Sequence, residues 1–308
     1  MVSVQTAIEA IKNEYPHIEC RIGELMRNHT SLRIGGAVAA MFLPASIEEL
    51  SLLCEALANH DSPIMIIGNG TNLLVDDRKA LDIIVVKTTK MNKLQLIEDG
   101  KISAQAGISL AKLAVFALEN NLSGFEFAHG IPGSLGGAIV MNAGAYGMEM
   151  KDVVLSTKAL THTPSLKLID IVGNEHQFSY RHSRFSDNDD IIISSVIGLE
   201  LGDKADIKAK MDELQALRSE SQPLDMPSAG STFKRPKDGY AAQMIDKAGL
   251  KGFTIGGAQV SLKHSGFIVN HNGGTFSDVL GIISHVKEVV FSKFGVELDL
   301  EYKIIEGI

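Results

Sequence analysis

Gly124 to Gly147 reads GFEFAHGIPGSLGGAIVMNAGAYG, and the rest of the chain is organised around it. Seven of these 24 residues are glycine, where the whole-chain frequency (29 in 308) gives about two. Glycine weakens regular structure, so such density marks backbone that turns sharply or lies close to a neighbour. Pro132 fixes one turn, and Gly136 and Gly137 leave no side chain between the main chain and whatever packs against it. Free amides in such a loop can line up toward an anion, most often a phosphate. The alternative is a tight structural turn against a sheet. Asn142 and Tyr146, polar groups among residues too small to do more than make room, favour a ligand.

Composition sets the outer limits. A chain of 308 residues has room for two or three domains, each with its own core. A hydrophobic content of 45% and a charged content of 21% describe an ordinary soluble globular protein. Cys20 and Cys54 have no metal-ligand spacing, so no metal site, no disulfide and a reducing compartment are expected. The N-terminal residues lack a secretory pattern, and no apolar run is long enough to span a bilayer. The expectation is a cytosolic protein. A net charge of -8 argues against nonspecific nucleic-acid binding.

In chain order, Ala7, Ile8 and Ile11 predict an amphipathic helix over Val4 to Tyr15. Ser46 with Glu49 predicts a capping box, and Leu50, Leu53 and Leu57 form the inner face of the helix that follows. The continuous apolar run Ile64 to Ile67 predicts a buried strand, which empties into Gly68-Asn-Gly-Thr-Asn-Leu-Leu74, with a second strand near Leu81 to Lys87. This loop is not a Rossmann fingerprint, because Leu73 stands where the third glycine belongs and no helix start follows. It is not a Walker A loop either, since Gly-Lys-Ser/Thr is absent. A strand-tip GNGTN loop can still offer amides and the Thr71 hydroxyl to a pyrophosphate, or be a plain turn.

Two strands joined at Glu98-Asp-Gly100 fill Lys93 to Ala106, and Ser109 caps a helix that carries Leu110, Leu113, Ala114, Ala117 and Leu118 on one face. Strands are predicted for Val153 to Leu160, Leu166 to Ile171, Glu175 to Tyr180 and Ile191 to Leu201. Tyr180-Arg-His-Ser-Arg-Phe185, expected at a strand end, is either a solvated basic loop or a place where its arginines clamp a carboxylate or phosphate.

A domain boundary is expected at Gly202-Asp203. Ile207, Met211, Leu214 and Leu217 make the core face of a helix that Pro223 and Pro227 stop. Ser228-Ala-Gly-Ser-Thr-Phe-Lys-Arg-Pro236 follows, and then a helix over Ala241 to Ala248 with Gly249 as its C-cap. From Ser228 to Asn270 there are six basic residues and two acidic ones, a net of +4 within a chain of -8, which is either a chance excess in a window of this size or a place for an anionic substrate. A helix from Thr275 or Ser277 to Gly295 buries Val279, Ile282, Ile283, Val286 and Val290. The chain then reads as a strand, Val296 to Ile305, with Glu297, Asp299 and Glu301 on one side and Leu298, Leu300 and Tyr302 on the other. One of the three acids could point into a cleft.

Taken in order, TSLRIGG, GNGTNLLV, the glycine-rich stretch, YRHSRF, AGSTFKRP, AGLKG, GGAQVSLKH, FIVN and GVELDLEY resemble the UDP-N-acetylenolpyruvoylglucosamine reductase family from about Asn28 to Glu301. The short interval between Tyr146 and Tyr180 is similar to the family's shorter subgroup. The resemblance implies an α+β fold of the vanillyl-alcohol oxidase/PCMH type: two FAD-binding subdomains (1–88, with the N-terminal helix, and 89–202) and a C-terminal substrate domain (203–308). It implies an NADPH-dependent flavoenzyme that reduces UDP-N-acetylglucosamine enolpyruvate to UDP-N-acetylmuramate for peptidoglycan, as a cytoplasmic monomer without nucleic-acid or membrane partners.

Residue by residue, the resemblance places FAD on Gly68, Asn69, Gly70, Thr71, Asn72 and Leu73, and on His129, Gly130, Ile131, Pro132, Gly133, Ser134, Gly136 and Gly137. Asn142, Ala143, Gly144 and Ala145 lie beside the ring. Arg181, Ser231 and Glu301 match its catalytic positions; without it, Arg181 and Arg184 are not separable. Tyr146, Lys234, Arg235, Gln259, Lys263 and His264 match substrate contacts. Three residues depart from the family's pattern: Arg235 for the usual Asn, Thr71 for Ser and Tyr302 for a common valine. Two rivals stand beside this reading: a flavoprotein of the same fold acting on another small molecule, and a non-catalytic flavin or nucleotide binder.

Overall fold

The computed structural model describes residues 4–60, 64–98, 100–161 and 166–307. The chain divides into two compact units, and neither is continuous in sequence. The first comprises Met1–Ile22, Ala39–Asn69 and Ile83–Leu217; the second comprises Gly23–Val38, Gly70–Asp82 and Arg218–Ile308.

The first unit holds two hydrophobic cores. One forms where the helix Val4–Glu14 buries Val4, Ala7, Ile8 and Ile11, and the helix Ile47–Asn59 buries Leu50, Leu53 and Leu57, with Phe42, Ile84 and Val86. The Ser46 hydroxyl caps the second helix by accepting from the Glu49 amide at 3.1 Å, but the Glu49 carboxylate takes the amide of Ala45, at 2.7 Å, rather than that of Ser46. The sheet beneath runs in the order Glu19–Ile22, Val38–Leu43, Leu81–Lys87, Ile64–Ile67, with the last pair parallel. The run Ile64–Ile67 is less buried than its composition predicts, and only Ile67 is fully covered, because the strand lies at the sheet edge.

The other core sits on a five-stranded antiparallel sheet ordered Leu168–Val172, Val154–Leu160, Ile191–Gly198, Lys101–Gln105, Leu94–Glu98. Asp99, of the expected Glu98-Asp-Gly100 junction, lies outside the described residues. Helix Leu110–Glu119 is capped by the Ser109 hydroxyl. Ile207, Met211 and Leu214 of the helix Lys204–Ser221 join this same core.

The expected strand over Glu175 to Tyr180 is not formed. Gly173–His176 is a single tight turn, with Gly173 at φ +49 and Gln177 at φ +50. His176 explains it: its Nδ1–H donates to the Gly173 carbonyl three residues back at 2.9 Å, a closure that extended backbone cannot make. The imidazole is fully buried, with Nε2 at 2.9 Å from the Thr157 hydroxyl and its ring stacked on Phe178 at 4.8 Å.

The second unit is built on an antiparallel sheet ordered Ser228–Ser231, Phe267–Asn270, Ala258–Val260, Thr254–Ile255. Helices Ala241–Lys247 and Phe276–Phe294 supply its core. Thr275 and Asp278 form a reciprocal capping box at the start of the long helix, and Gly295 at φ +67 ends it. The core also takes Leu32, Ile34 and Leu74 from early in the chain. The expected final strand is shorter than its alternation suggests. Only Lys303–Ile305 is regular, parallel to Leu73–Val75, while Leu300 makes an isolated bridge to Phe233. Alternation still governs burial, with Leu298 and Tyr302 covered and Glu297 and Asp299 exposed. Glu301 alone among the three acids is half-buried.

Candidate active site

In the first unit the glycine-rich stretch is not all loop. Leu135–Val140 is helical, and Ser134 caps it by accepting from the Gly137 amide at 3.4 Å. Gly136 is inside this helix because a Cβ there would lie 3.0 Å from that of Ala106. The amides of Leu135 and Gly136 donate to Ile108 and Ala106 at 2.9 and 2.8 Å, and the Gly133 carbonyl accepts from Leu110 at 3.0 Å. Gly68 reaches the same place: a Cβ on it would fall 1.9 Å from the Ser134 hydroxyl oxygen. The tip of the first glycine loop therefore touches the second. Nearby in sequence, His129 keeps a buried Nδ1 that finds no partner among the described residues, a polar atom set for a ligand.

Asn142 is fully buried, and its side chain is fully engaged. The amide donates to the Glu149 carboxylate at 3.0 Å and the Ser179 carbonyl at 2.9 Å, and the oxygen accepts from the Lys151 amide at 2.9 Å. Any contact with a cofactor falls to its main chain and to the small residues Ala143, Gly144 and Ala145. Ser179 and His182 close a reverse turn, 3.0 and 3.2 Å between their amides and carbonyls. Arg181 sits within it at φ +54, a left-handed backbone that a non-glycine residue adopts only when its surroundings impose it. Its guanidinium lies over the Tyr180 ring at 5.0 Å and reaches the Gly144 carbonyl at 3.4 Å. Arg184, the other candidate, pairs with Asp190 at 3.4 Å. Tyr146, at φ +55, donates its phenol to the Leu214 carbonyl at 3.1 Å.

The second unit receives the remainder of the GNGTN loop. A Cβ on Gly70 would meet the His29 carbonyl oxygen at 2.0 Å, and the Gly70 carbonyl accepts from the Ser31 amide at 3.1 Å. The TSLRIGG and GNGTN motifs are thus packed together. The amides of Gly70, Thr71 and Asn72 donate no hydrogen bond among the described residues. Asn72 spends its side-chain amide on the Glu301 carbonyl at 2.9 Å, and its own carbonyl accepts from Lys303 at 3.0 Å. The unspent loop amides here fit a cofactor rich in anionic oxygen.

Ser231 and Glu301 lie on adjacent segments of this unit. The Glu301 amide donates to the Thr232 carbonyl at 2.9 Å, the Lys234 amide to the Asp299 carbonyl at 2.8 Å, and both Ser231 and Glu301 are half-buried. Arg235 stacks on Tyr240 at 4.1 Å. Lys263 donates to the Ser219 carbonyl at 2.5 Å, and Gln259 to the Thr254 hydroxyl at 3.0 Å. Burial pushes the His264 pKa below its ordinary 6.5, and its Nδ1 accepts from the Gly266 amide at 3.2 Å, so the ring is a neutral Nε2–H donor. Sequence reasoning missed two features: the engagement of Asn142 and the hydrogen-bond partners of Tyr302, namely Thr232 and the Gly230 carbonyl. The period-two alternation of LDLEY turned Tyr302 to the core as expected, but it carries no signal for those partners.

The model of the FAD binding domain matches residues 38–167. This defines the class: α+β flavoproteins. A second model, that of the UDP-N-acetylenolpyruvoylglucosamine reductase C-terminal domain, matches residues 222–305. The chain belongs to the UDP-N-acetylenolpyruvoylglucosamine reductase family, a family of flavin-dependent oxidoreductases. It is 49% identical over 284 residues to the reductase of Caldanaerobacter subterraneus subsp. tengcongensis, covering 92% of this chain and 93% of that one. To the reductase of Limosilactobacillus reuteri it is 42% identical over 295 residues, 96% and 98% of the two chains. The crystal structure of the reductase from Thermus caldophilus superposes with a TM-score of 0.79 at 30% identity, over 94% of this chain and 99% of that one.

Proposed function

We propose that this chain reduces UDP-N-acetylglucosamine enolpyruvate to UDP-N-acetylmuramate in peptidoglycan synthesis, with NADPH as reductant. The carrying observation is the main-chain bond from Glu301 to Thr232, which brings the segment of the half-buried Glu301 alongside that of the half-buried Ser231. Bound FAD would supply hydride transfer from NADPH to the methylene carbon of the enolpyruvyl ether. The residues that would hold it are Gly68 to Leu73, where the amides of Gly70, Thr71 and Asn72 suit a pyrophosphate, and His129 to Gly137, whose glycines leave room and whose His129 Nδ1 is unspent among the described residues, with the small residues of Asn142 to Ala145 beside the ring.

Hydride arrival builds negative charge on the neighbouring carbon and its carboxylate. Arg181 pairs with that carboxylate as a planar fork, and Glu301 shares the developing charge. The Ser231 hydroxyl gives its proton to the carbon, completing the reduction. Tyr146, Lys234, Arg235, Gln259, Lys263 and His264 are proposed substrate contacts, and the basic surplus in 228–270 suits a nucleoside diphosphate sugar. Three functional modules, 1–88, 89–202 and 203–308, are proposed; three separate hydrophobic cores support their number, while Leu32, Ile34 and Leu74 pack in the core of the last and Ile207, Met211 and Leu214 in that of the second. A cytoplasmic monomer is proposed. Two free cysteines support that compartment, and among the described residues no helix is long and apolar enough to cross a membrane.

The test is an anaerobic absorbance titration. The purified protein should be yellow, bleach with NADPH and recover colour on addition of the enolpyruvyl sugar. Bleaching without recovery supports a flavoprotein with another substrate, and a protein that cannot be reconstituted with FAD rejects the whole reading. Ser231→Ala should still bleach with NADPH but recover at least ~10²-fold more slowly, the lower range for a lost general acid.

A further inference from the structure

We propose that Tyr302 aims Ser231, as a positioning residue for the proton transfer; the inference rests on the reading of Ser231 as proton donor. Ser228 pairs with Val269 and Ser231 with Phe267, so three steps along one strand oppose two along the other. This is a bulge, with Gly230 at φ +82, and bulges re-aim the side chains beside them. A bulge also takes main-chain groups out of the ladder, and buried groups of that kind need another partner. The Gly230 carbonyl accepts the Tyr302 phenol at 3.3 Å. The phenol oxygen accepts from the Thr232 hydroxyl at 3.1 Å, and that hydroxyl accepts from the Ile268 amide at 3.2 Å.

The result is a one-way chain of donors, Ile268 N–H to Thr232 O–H to Tyr302 O–H to the Gly230 carbonyl. It grips the residues on both sides of Ser231. Thr232 is fully buried and Tyr302 is 5% exposed, so water does not substitute for either hydroxyl. Burial also pushes the Tyr302 pKa up to about 12, which keeps the phenol a donor through the neutral range. Glu301, one residue earlier, ties the same strand to the Thr232 carbonyl. Ser231 is therefore held by a buried network on its two neighbours as well as by its pairing with Phe267, and a proton donor misplaced by a fraction of an ångström loses rate.

The experiment compares holoenzyme half-reactions of Tyr302→Phe with wild type. Recovery of colour by UDP-N-acetylglucosamine enolpyruvate should slow by ~10- to 100-fold, the scale of a misplaced reacting group, while bleaching by NADPH and the substrate Kd stay unchanged. The solvent deuterium isotope effect on recovery should rise, which loss of stability alone does not produce. Thr232→Val should reproduce the defect and Thr232→Ser should restore it; these two decide the matter if Tyr302→Phe does not fold. Independently of activity, amide hydrogen exchange over 228–232 should quicken in Tyr302→Phe and Thr232→Val. Wild-type recovery in Tyr302→Phe, with Ser231→Ala slow, overturns this inference alone. Wild-type recovery in Ser231→Ala overturns the reading of Ser231 and this inference with it.

Discussion

Asn142 donates its side-chain amide to the Ser179 carbonyl at 2.9 Å, a bond that links the end of the glycine-rich stretch to the reverse turn that carries Arg181. Asn142 is buried at φ +41, a conformation asparagine tolerates better than most residues. Asn142→Ala leaves the Ser179 carbonyl and the Lys151 amide without that partner and keeps the backbone strain. The expected cost is about 2–4 kcal/mol, read by urea denaturation. In the surviving fold the turn loosens, so the Michaelis constant for a carboxylate-bearing substrate should rise. A rise in neither quantity would show that the turn holds itself.

Gly70 separates steric need from backbone preference. Its φ is +64, and a Cβ would fall 2.0 Å from a carbonyl oxygen, an atom that cannot swing aside. Gly70→Ala should therefore displace the loop and lower the flavin absorbance per protein. Gly147 is the control: its φ is +88, but a Cβ there meets nothing within 4 Å. Gly147→Ala should cost about 1–2 kcal/mol from the left-handed backbone and keep its flavin.

The fully buried His176 gives the fold an acid limb. Burial lowers its pKa below the ordinary 6.5, so below that pH the unfolded chain binds a proton that the folded chain refuses. Stability then rises with pH: it is complete above 6.5, and it falls as the pH drops toward the lowered folded value. Melting temperatures of wild type should decline through this window, and His176→Asn, which removes the titrating ring, should decline less steeply. Parallel declines would place the acid limb elsewhere.

Much of this was legible in the sequence because the signals are local. Ser46, Ser109 and Thr275 announce helix starts through side chains that bond three residues on, and Gly295 announces a stop through its own backbone. The strand expected at Glu175 to Tyr180 failed because an imidazole closed on the Gly173 carbonyl, a choice set by burial against Thr157 and Phe178 rather than by alternation. The terminal strand kept its alternation but lost its ladder, since regular pairing needs the partner Leu73–Val75, more than 200 residues upstream. The bonds of Asn142 and Tyr302 are of this non-local kind too. Their residue types were visible, but not their partners.

Asn72 offers a test between two roles for one side chain. Its position in the GNGTN loop marks it as a cofactor residue, yet its amide nitrogen lies 2.9 Å from the Glu301 carbonyl and donates there. If the loop holds FAD through main-chain amides, Asn72→Ala keeps them all and flavin content should stay near wild type. What is lost is the tether on Glu301, a neutral hydrogen bond worth about 0.5–1.5 kcal/mol to the fold. The Glu301 carboxylate then shares developing charge less well, so recovery of colour by the enolpyruvyl sugar should slow several-fold while bleaching by NADPH is unaffected. Measuring flavin content and both half-reactions on one variant separates the outcomes. A fall in flavin content with normal rates in the molecules that retain it would return the side chain to the cofactor.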